Sequence, residues 1–188
     1  MKPRLAVTFA LLILYFVLAT FGQTSHSTRA HSASRTTKKT SAPVVPADLK
    51  KAAQPFIAQG CNQDLWKHVY NPARLVVVEP CISVAGTIHH AKREADGDDH
   101  IQLKLDSKYA ALLNDKNNSV QGASLVIEPI CQWPAIQPDA IKPCRDFHSG
   151  VDVPQKGKHI TVLGSYVLDS EVDHGWMEIH PVTSITEE

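Results

Sequence analysis

Six side chains able to do chemistry stand in two short runs: His100 and Gln102, then His174, Trp176, Glu178 and His180. Arg93 and the acidic turn Asp96-Gly97-Asp98-Asp99 border the first run. Imidazoles beside carboxylates suit Zn²⁺ and similar ions. The same pairs can act as general acid and base, and a tryptophan offers a flat face to a sugar ring. Spacing narrows these options. His174, Glu178 and His180 do not form the helical H-E-x-x-H pattern of zinc hydrolases. The Asp96–Asp99 turn lacks the twelve-residue calcium loop ending in glutamate. No G-x-S-x-G and no marked Cys–His arrangement supplies a nucleophile. Binding of a ligand is therefore the expected role of these residues, with no catalytic residue and no cofactor assigned. A hydrolase is the alternative, with Glu178 or an aspartate as base, His100 or His180 as acid and Arg93 holding an anion; a divalent metal belongs to that alternative. In a purely structural protein, Glu178 and His180 would instead pair with Arg93 or His100 to fasten the fold.

Strand periodicity brings these residues toward one surface. Ile82, Val84, Gly86 and Ile88 alternate with Ser83, Ala85, Thr87 and His89, while Ile101, Leu103 and Leu105 alternate with His100, Gln102 and Lys104. Glu94–Asp99 is a turn segment, so a hairpin over about 82–106 is predicted. Leu75–Val78 is a separate apolar run broken by Pro80. Further strands are predicted over 125–130, 159–168 and 176–185, with a turn at Asp173-His174-Gly175. If Ile179 points into the core, Trp176, Glu178 and His180 lie on the opposite face. Helical turns are expected at 47–59 and 107–114, a polar loop at 115–121 and an irregular excursion at 131–156. The fold class is all-β: a small five-stranded Greek-key barrel of the oligonucleotide/oligosaccharide-binding (OB) kind, with one or two short helices. Gly86 and Gly164 fit the close bends of such a barrel.

Cys61, Cys81, Cys131 and Cys144 contain no C-x-x-C pair, which removes zinc-ribbon and thioredoxin-like readings. An even count implies two disulfides in an oxidising compartment. Three pairings are open, and sequence separation favours Cys61–Cys81 with Cys131–Cys144. Trp66 and Trp133 are expected to cover the barrel near these cysteines. Asn117-Asn118-Ser119 is a formal glycosylation acceptor, to which no role is assigned.

The start of the chain carries an address. Met1–Arg4 is basic and Leu5–Gly22 is an uncharged, largely apolar run, the pattern of a secretory signal with cleavage after Ala19 or Gly22. Its length also suits an uncleaved membrane anchor over 1–22. Residues 23–46 are rich in Ser, Thr, His, Lys and Arg and read as a flexible basic tether, leaving 47–188 as the folded domain. Hydrophobic residues make up 43% of the chain and charged residues 20%, which excludes wholesale disorder and a polytopic membrane protein. The formal net charge is zero, yet all acidic residues lie beyond residue 45, leaving that part at −6. An acidic domain is poorly suited to phosphate-backbone binding, so nucleic acid is disfavoured as a partner. Membrane contact is expected only through an uncleaved N-terminal segment.

The runs Cys81-Ile-Ser-Val-Ala-Gly-Thr87, Arg93-Glu-Ala-Asp-Gly-Asp-Asp-His100, Tyr166-Val-Leu-Asp169 and His174-Gly-Trp-Met-Glu-Ile-His-Pro-Val182 resemble those of a set of exported prokaryotic proteins that look like OB-type barrels. The DGD-x-H and HGW-x-E-I-H-P segments are the distinctive part, and the resemblance spans about residues 60–186. It implies a fold and a compartment, and carries no activity. The resulting expectation is an exported, non-catalytic binding module of the cell envelope, periplasmic, extracellular or anchored facing outside. Its ligand is a saccharide, a peptide or a small anion, held by Arg93, His100, Gln102, His174, Trp176, Glu178 and His180.

Overall fold

The computed structural model describes residues 45–188; the expected signal or anchor and nearly all of the tether lie outside the described residues. Five strands carry the domain: β1 (Leu75–Arg93), β2 (Asp99–Leu105), β3 (Leu125–Ile127), β4 (His159–Asp169) and β5 (Met177–Glu187). Their hydrogen-bonded order is β1-β2-β3-β5-β4, and β4 pairs back to β1, so the sheet closes into a barrel. Every pairing is antiparallel except β3 with β5, which makes the sheet mixed.

The inward faces are those the alternation predicts. Ile82, Val84, Ile88, Ile101, Leu103, Leu125, Ile127, Ile160, Val162, Tyr166 and Ile179 fill the core. Helix α1 (Ala47–Ala53) follows Pro46 and buries Leu49 and Ala53 against this core. Tyr166, fully buried, donates its hydroxyl to the Leu112 carbonyl at 2.6 Å and so ties the short 3₁₀ segment Ser107–Leu112 to β4.

Two expectations are corrected. Leu75–Val78 is not a separate run: β1 continues through Pro80 for 19 residues. Proline has no N–H for the ladder, and the β1–β4 register shifts between Val77 and Ile82 to accommodate it. The Pro80 carbonyl still accepts from Ser165 Oγ at 3.0 Å. The polar segment after Asn114 is also not a loop but helix α2 (Asp115–Val120). Asn114 and Asn117 cap it reciprocally, side chain to backbone. Asn117 is fully buried and also bonds the Ser124 carbonyl and both backbone groups of Met177, each at 2.8–2.9 Å.

A second bulge matters more for the site. Between Ile88 and His90 the β1–β2 register advances two residues on β1 for one on β2. Simple alternation from Ile88 would turn His90 and Lys92 inward; the extra residue reverses them. They then pair with Gln102 and His100 on the outer face.

Both disulfides form with the pairing favoured by separation, Cys61–Cys81 and Cys131–Cys144. Such bonds belong to the chemistry of an oxidising compartment. The second closes the excursion after β3, which contains α3 (Ile141–Cys144) and lies over the β1–β2 turn. Trp133 N–H donates to Gly97 O, and Ile136 and Gln137 N–H donate to Ala95 O, at 2.8–2.9 Å. Trp66 packs beside Cys131 and Cys144 in a smaller cluster outside the barrel.

Gly86 marks the tightest strand contact, since a Cβ there would stand 2.2 Å from the Lys104 carbonyl oxygen. The obstacle is backbone, which cannot rotate away. Gly86→Ala is expected to lower unfolding free energy by about 3 kcal/mol, the upper part of the range for overpacked sites, measured by urea denaturation.

Candidate functional site

Ile179 enters the barrel core, and its neighbours Glu178 and His180 point the other way, as expected. They do not reach solvent: Glu178 and His180 are both fully buried. What covers them is the β1–β2 turn, the Glu128 segment that follows β3, and Arg74 at the start of β1. Asp96, Asp98 and Asp99, expected at an open mouth, are buried as well.

Glu128 stands at the centre. Its Oε1 meets His100 Nδ1 at 2.9 Å, and its Oε2 lies 2.7 Å from His180 Nδ1. The second approach is close but not aligned as a hydrogen bond. Glu178 Oε1 lies 3.3 Å from the same His180 nitrogen, and Asp98 Oδ2 lies 3.9 Å from the other. Arg74 spans Glu128 at 3.9 Å and Asp169 at 3.5 Å. Asp169 in turn holds His174 Nδ1 at 2.7 Å.

The electrostatics follow from burial and from this crowding. Burial works against the imidazolium of His180, but the Glu128 and Glu178 carboxylates overcome it and lift its pKa to about 10. His100 is raised in the same way, with burial opposed by Glu128. Burial pushes Glu128 upward, and the two histidines outweigh it and hold the group ionised well below the usual carboxylate range. Glu178 is raised by burial and by the charge of Glu128 beside it. Asp98 is raised to about 8, chiefly by burial.

Outside this layer a groove of about 330 Å³ opens. Its walls include Lys92, His100, Gln102, Gln121, His174 and Trp176. Gln121 Oε1 joins the β2 pair, accepting from Gln102 at 3.1 Å and lying 3.2 Å from His100 Nε2. Both ring nitrogens of His100 are thus engaged. Trp176 does not offer a free face: it is buried, stacked on His174 at 4.1 Å and set edge-on to His100 at 6.0 Å. Its indole N–H donates to Glu178 Oε2 at 3.1 Å. A second groove of about 450 Å³ lies beside the first and shares Arg74, Glu94 and His174 with it.

Of the seven predicted ligand-binding residues, His100, Gln102, His174 and Trp176 line the groove, and Glu178 and His180 lie buried behind it. Arg93 is not among the lining residues. It pairs with Asp99 across the ladder, and its guanidinium lies over the Trp133 ring, 3.1 Å from the centroid. Glu128, Arg74, Asp169 and Gln121 were missed from the sequence. Glu128 had a signal, as the outward position two beyond Val126 on an otherwise apolar strand; Arg74, at a strand start, had none.

No protein-family model matches the chain, and no curated protein matches it.

The raised groups set a pH dependence. Asp98 releases its proton near pH 4 when unfolded and near pH 8 when folded; His180 moves from about 6.5 to about 10. The folded chain therefore binds more protons than the unfolded chain across this span, and stability falls as pH rises. Urea midpoints in chelator-containing buffer are expected to decline between pH 5 and pH 9. Asp98→Asn should flatten the part of the decline below pH 8.

Proposed function

We propose that the chain is an exported, non-catalytic binding protein whose domain is a Greek-key barrel of the OB kind, related to the exported prokaryotic proteins it resembles. The strand circuit β1-β2-β3-β5-β4, with a long β1 shared by β2 and β4, supports the OB reading. OB barrels take oligosaccharides and oligonucleotides on the face of strands 2 and 3 and in the loops between strands 1–2 and 4–5. The observation that carries the proposal is the composition of the groove. It draws Glu94 from the first loop, His100 and Gln102 from β2, Glu128 from the end of β3, and His174 and Trp176 from the last loop. The basic, apolar N-terminus and the two disulfides support export.

The ligand class follows from the lining. Arg74, His90, Lys92, His100 and His174 face Glu94 and Glu128, whose charges are already engaged by Lys92 at 2.8 Å and by the histidines. Amide and imidazole groups at the wall suit hydroxyls, and the surplus of basic groups suits a carboxylate. An acidic saccharide of the envelope meets both requirements.

One observation favours a second reading as a hydrolase. Asp169 is buried and orients His174, which lines both grooves beside Arg74. A carboxylate-oriented imidazole can take a proton from water.

Thermal unfolding with trigalacturonic acid, and with maltotriose as the neutral control, separates these readings. The acidic sugar should raise the midpoint in a concentration-dependent way. Lys92→Glu or Gln102→Ala should weaken the effect at least tenfold, whereas His148→Ala should leave it unchanged. The sugar should be recovered intact. No shift for either sugar would sink the binding proposal; cleavage that depends on His174 would establish the hydrolase.

A further inference from the structure

The buried layer behind the groove has a feature that saccharide recognition does not use. Three carboxylates there each hold a hydrogen bond through one oxygen and none through the other. Asp98 Oδ1 accepts from the Cys131 N–H at 2.7 Å. Glu128 Oε1 is held by His100, and Glu178 Oε2 by the Trp176 indole N–H. The remaining oxygens, Asp98 Oδ2, Glu128 Oε2 and Glu178 Oε1, are the ones that approach His180, at 3.9, 2.7 and 3.3 Å.

None of these approaches to His180 is an aligned hydrogen bond. Both of its ring nitrogens, Glu128 Oε2 and Glu178 Oε1 are buried without a hydrogen-bond partner. Leaving such groups unsatisfied costs about 1–3 kcal/mol each, and four of them meet in one place. One donor atom each from Asp98, Glu128 and His180 lies within 4.8 Å of the others. Ligands about 2.0–2.2 Å from a shared ion stand roughly 3–3.5 Å apart. Glu128 Oε2 is 2.7 Å from His180 Nδ1 and Asp98 Oδ2 is 3.9 Å from Nε2, so an ion on one ring nitrogen would draw the farther carboxylate in. The anchoring of the outer oxygens by His100, Trp176 and a backbone N–H is the kind of support that orients metal ligands.

The geometry points to a binding site for a divalent first-row transition metal at Asp98, Glu128 and His180. One imidazole with carboxylates favours Zn²⁺ or Mn²⁺ over Ca²⁺ and Mg²⁺, which prefer all-oxygen ligands. The ion would join the β1–β2 turn, the end of β3 and β5 at a single point. It requires no ligand in the groove, so it stands whether or not the saccharide proposal does.

The test uses the full chain, stripped with chelator, dialysed against Zn²⁺ or Mn²⁺, freed of unbound ion and assayed for metal by mass spectrometry. One ion per chain is expected, with an unfolding midpoint that rises with metal concentration. Asp98→Asn and Glu128→Gln keep side-chain shape and should weaken binding at least tenfold while retaining cooperative unfolding. His26→Ala with His31→Ala, in the N-terminal tract, should change nothing. In the unmutated protein, stoichiometric Mn²⁺ should broaden the NMR signal of the Trp176 indole N–H, which needs no variant to fold. The proposal is overturned if no ion is retained and Trp176 is unaffected. It is equally overturned if metal is retained fully by Asp98→Asn and lost with the tract histidines, which would make it an adventitious ion only.

Discussion

A single carboxylate, Glu128, holds the functional end of this barrel together. It follows the shortest strand, β3, which contributes only three residues to the sheet. One oxygen reaches β2 through His100 and the other approaches β5 through His180, while Arg74 approaches from the start of β1. A buried carboxylate is costly to desolvate, and it persists here because cationic partners surround it. The consequence is positional. His100, Gln121 and Gln102 are fixed on the groove wall because His100 is tied to Glu128 behind it.

Layering explains how a strand can bury both of its faces. On β5, Ile179 and Val182 serve the barrel core, while Glu178 and His180 serve a polar layer sealed by the turn and the disulfide-closed excursion. The Cys131–Cys144 bond closes that cover, and the backbone of Cys131 itself holds Asp98. The excursion therefore acts as a lid for the polar layer, although it contributes no strand.

Much of the barrel was legible because inward positions alternate cleanly with polar ones: Ile101 and Leu103 against His100 and Gln102, Ile179 against Glu178 and His180. Cysteine separation pointed to the disulfides for a similar local reason. Alternation reports which side a residue faces, however, and says nothing of what covers that side. Trp176, Glu178 and His180 were assigned to the outer face, and were expected at the surface because the covering elements are irregular and leave no periodic trace. Bulges were the other blind spot. The extra residue before His90 reverses the facing of Lys92, which no pattern in Ile88–Arg93 signals. Pro80 read as a break because its missing donor is visible in sequence, whereas the register shift that absorbs it is not. The capping exchange between Asn114 and Asn117 was hidden in a segment whose composition is that of a loop.

Asn117 also links this architecture to the route by which the chain is made. It heads the triplet Asn117-Asn118-Ser119, yet its side-chain nitrogen is committed to the Ser124 and Met177 carbonyls in the interior. A glycan on that nitrogen and the closed barrel are mutually exclusive. In a host whose secretory pathway modifies chains as they emerge, sugar transfer would compete with the docking of Asn117 onto Ser124, just before β3, and onto Met177 at the start of β5. Chains modified first could not complete the barrel, so the yield of folded protein would depend on which event came sooner.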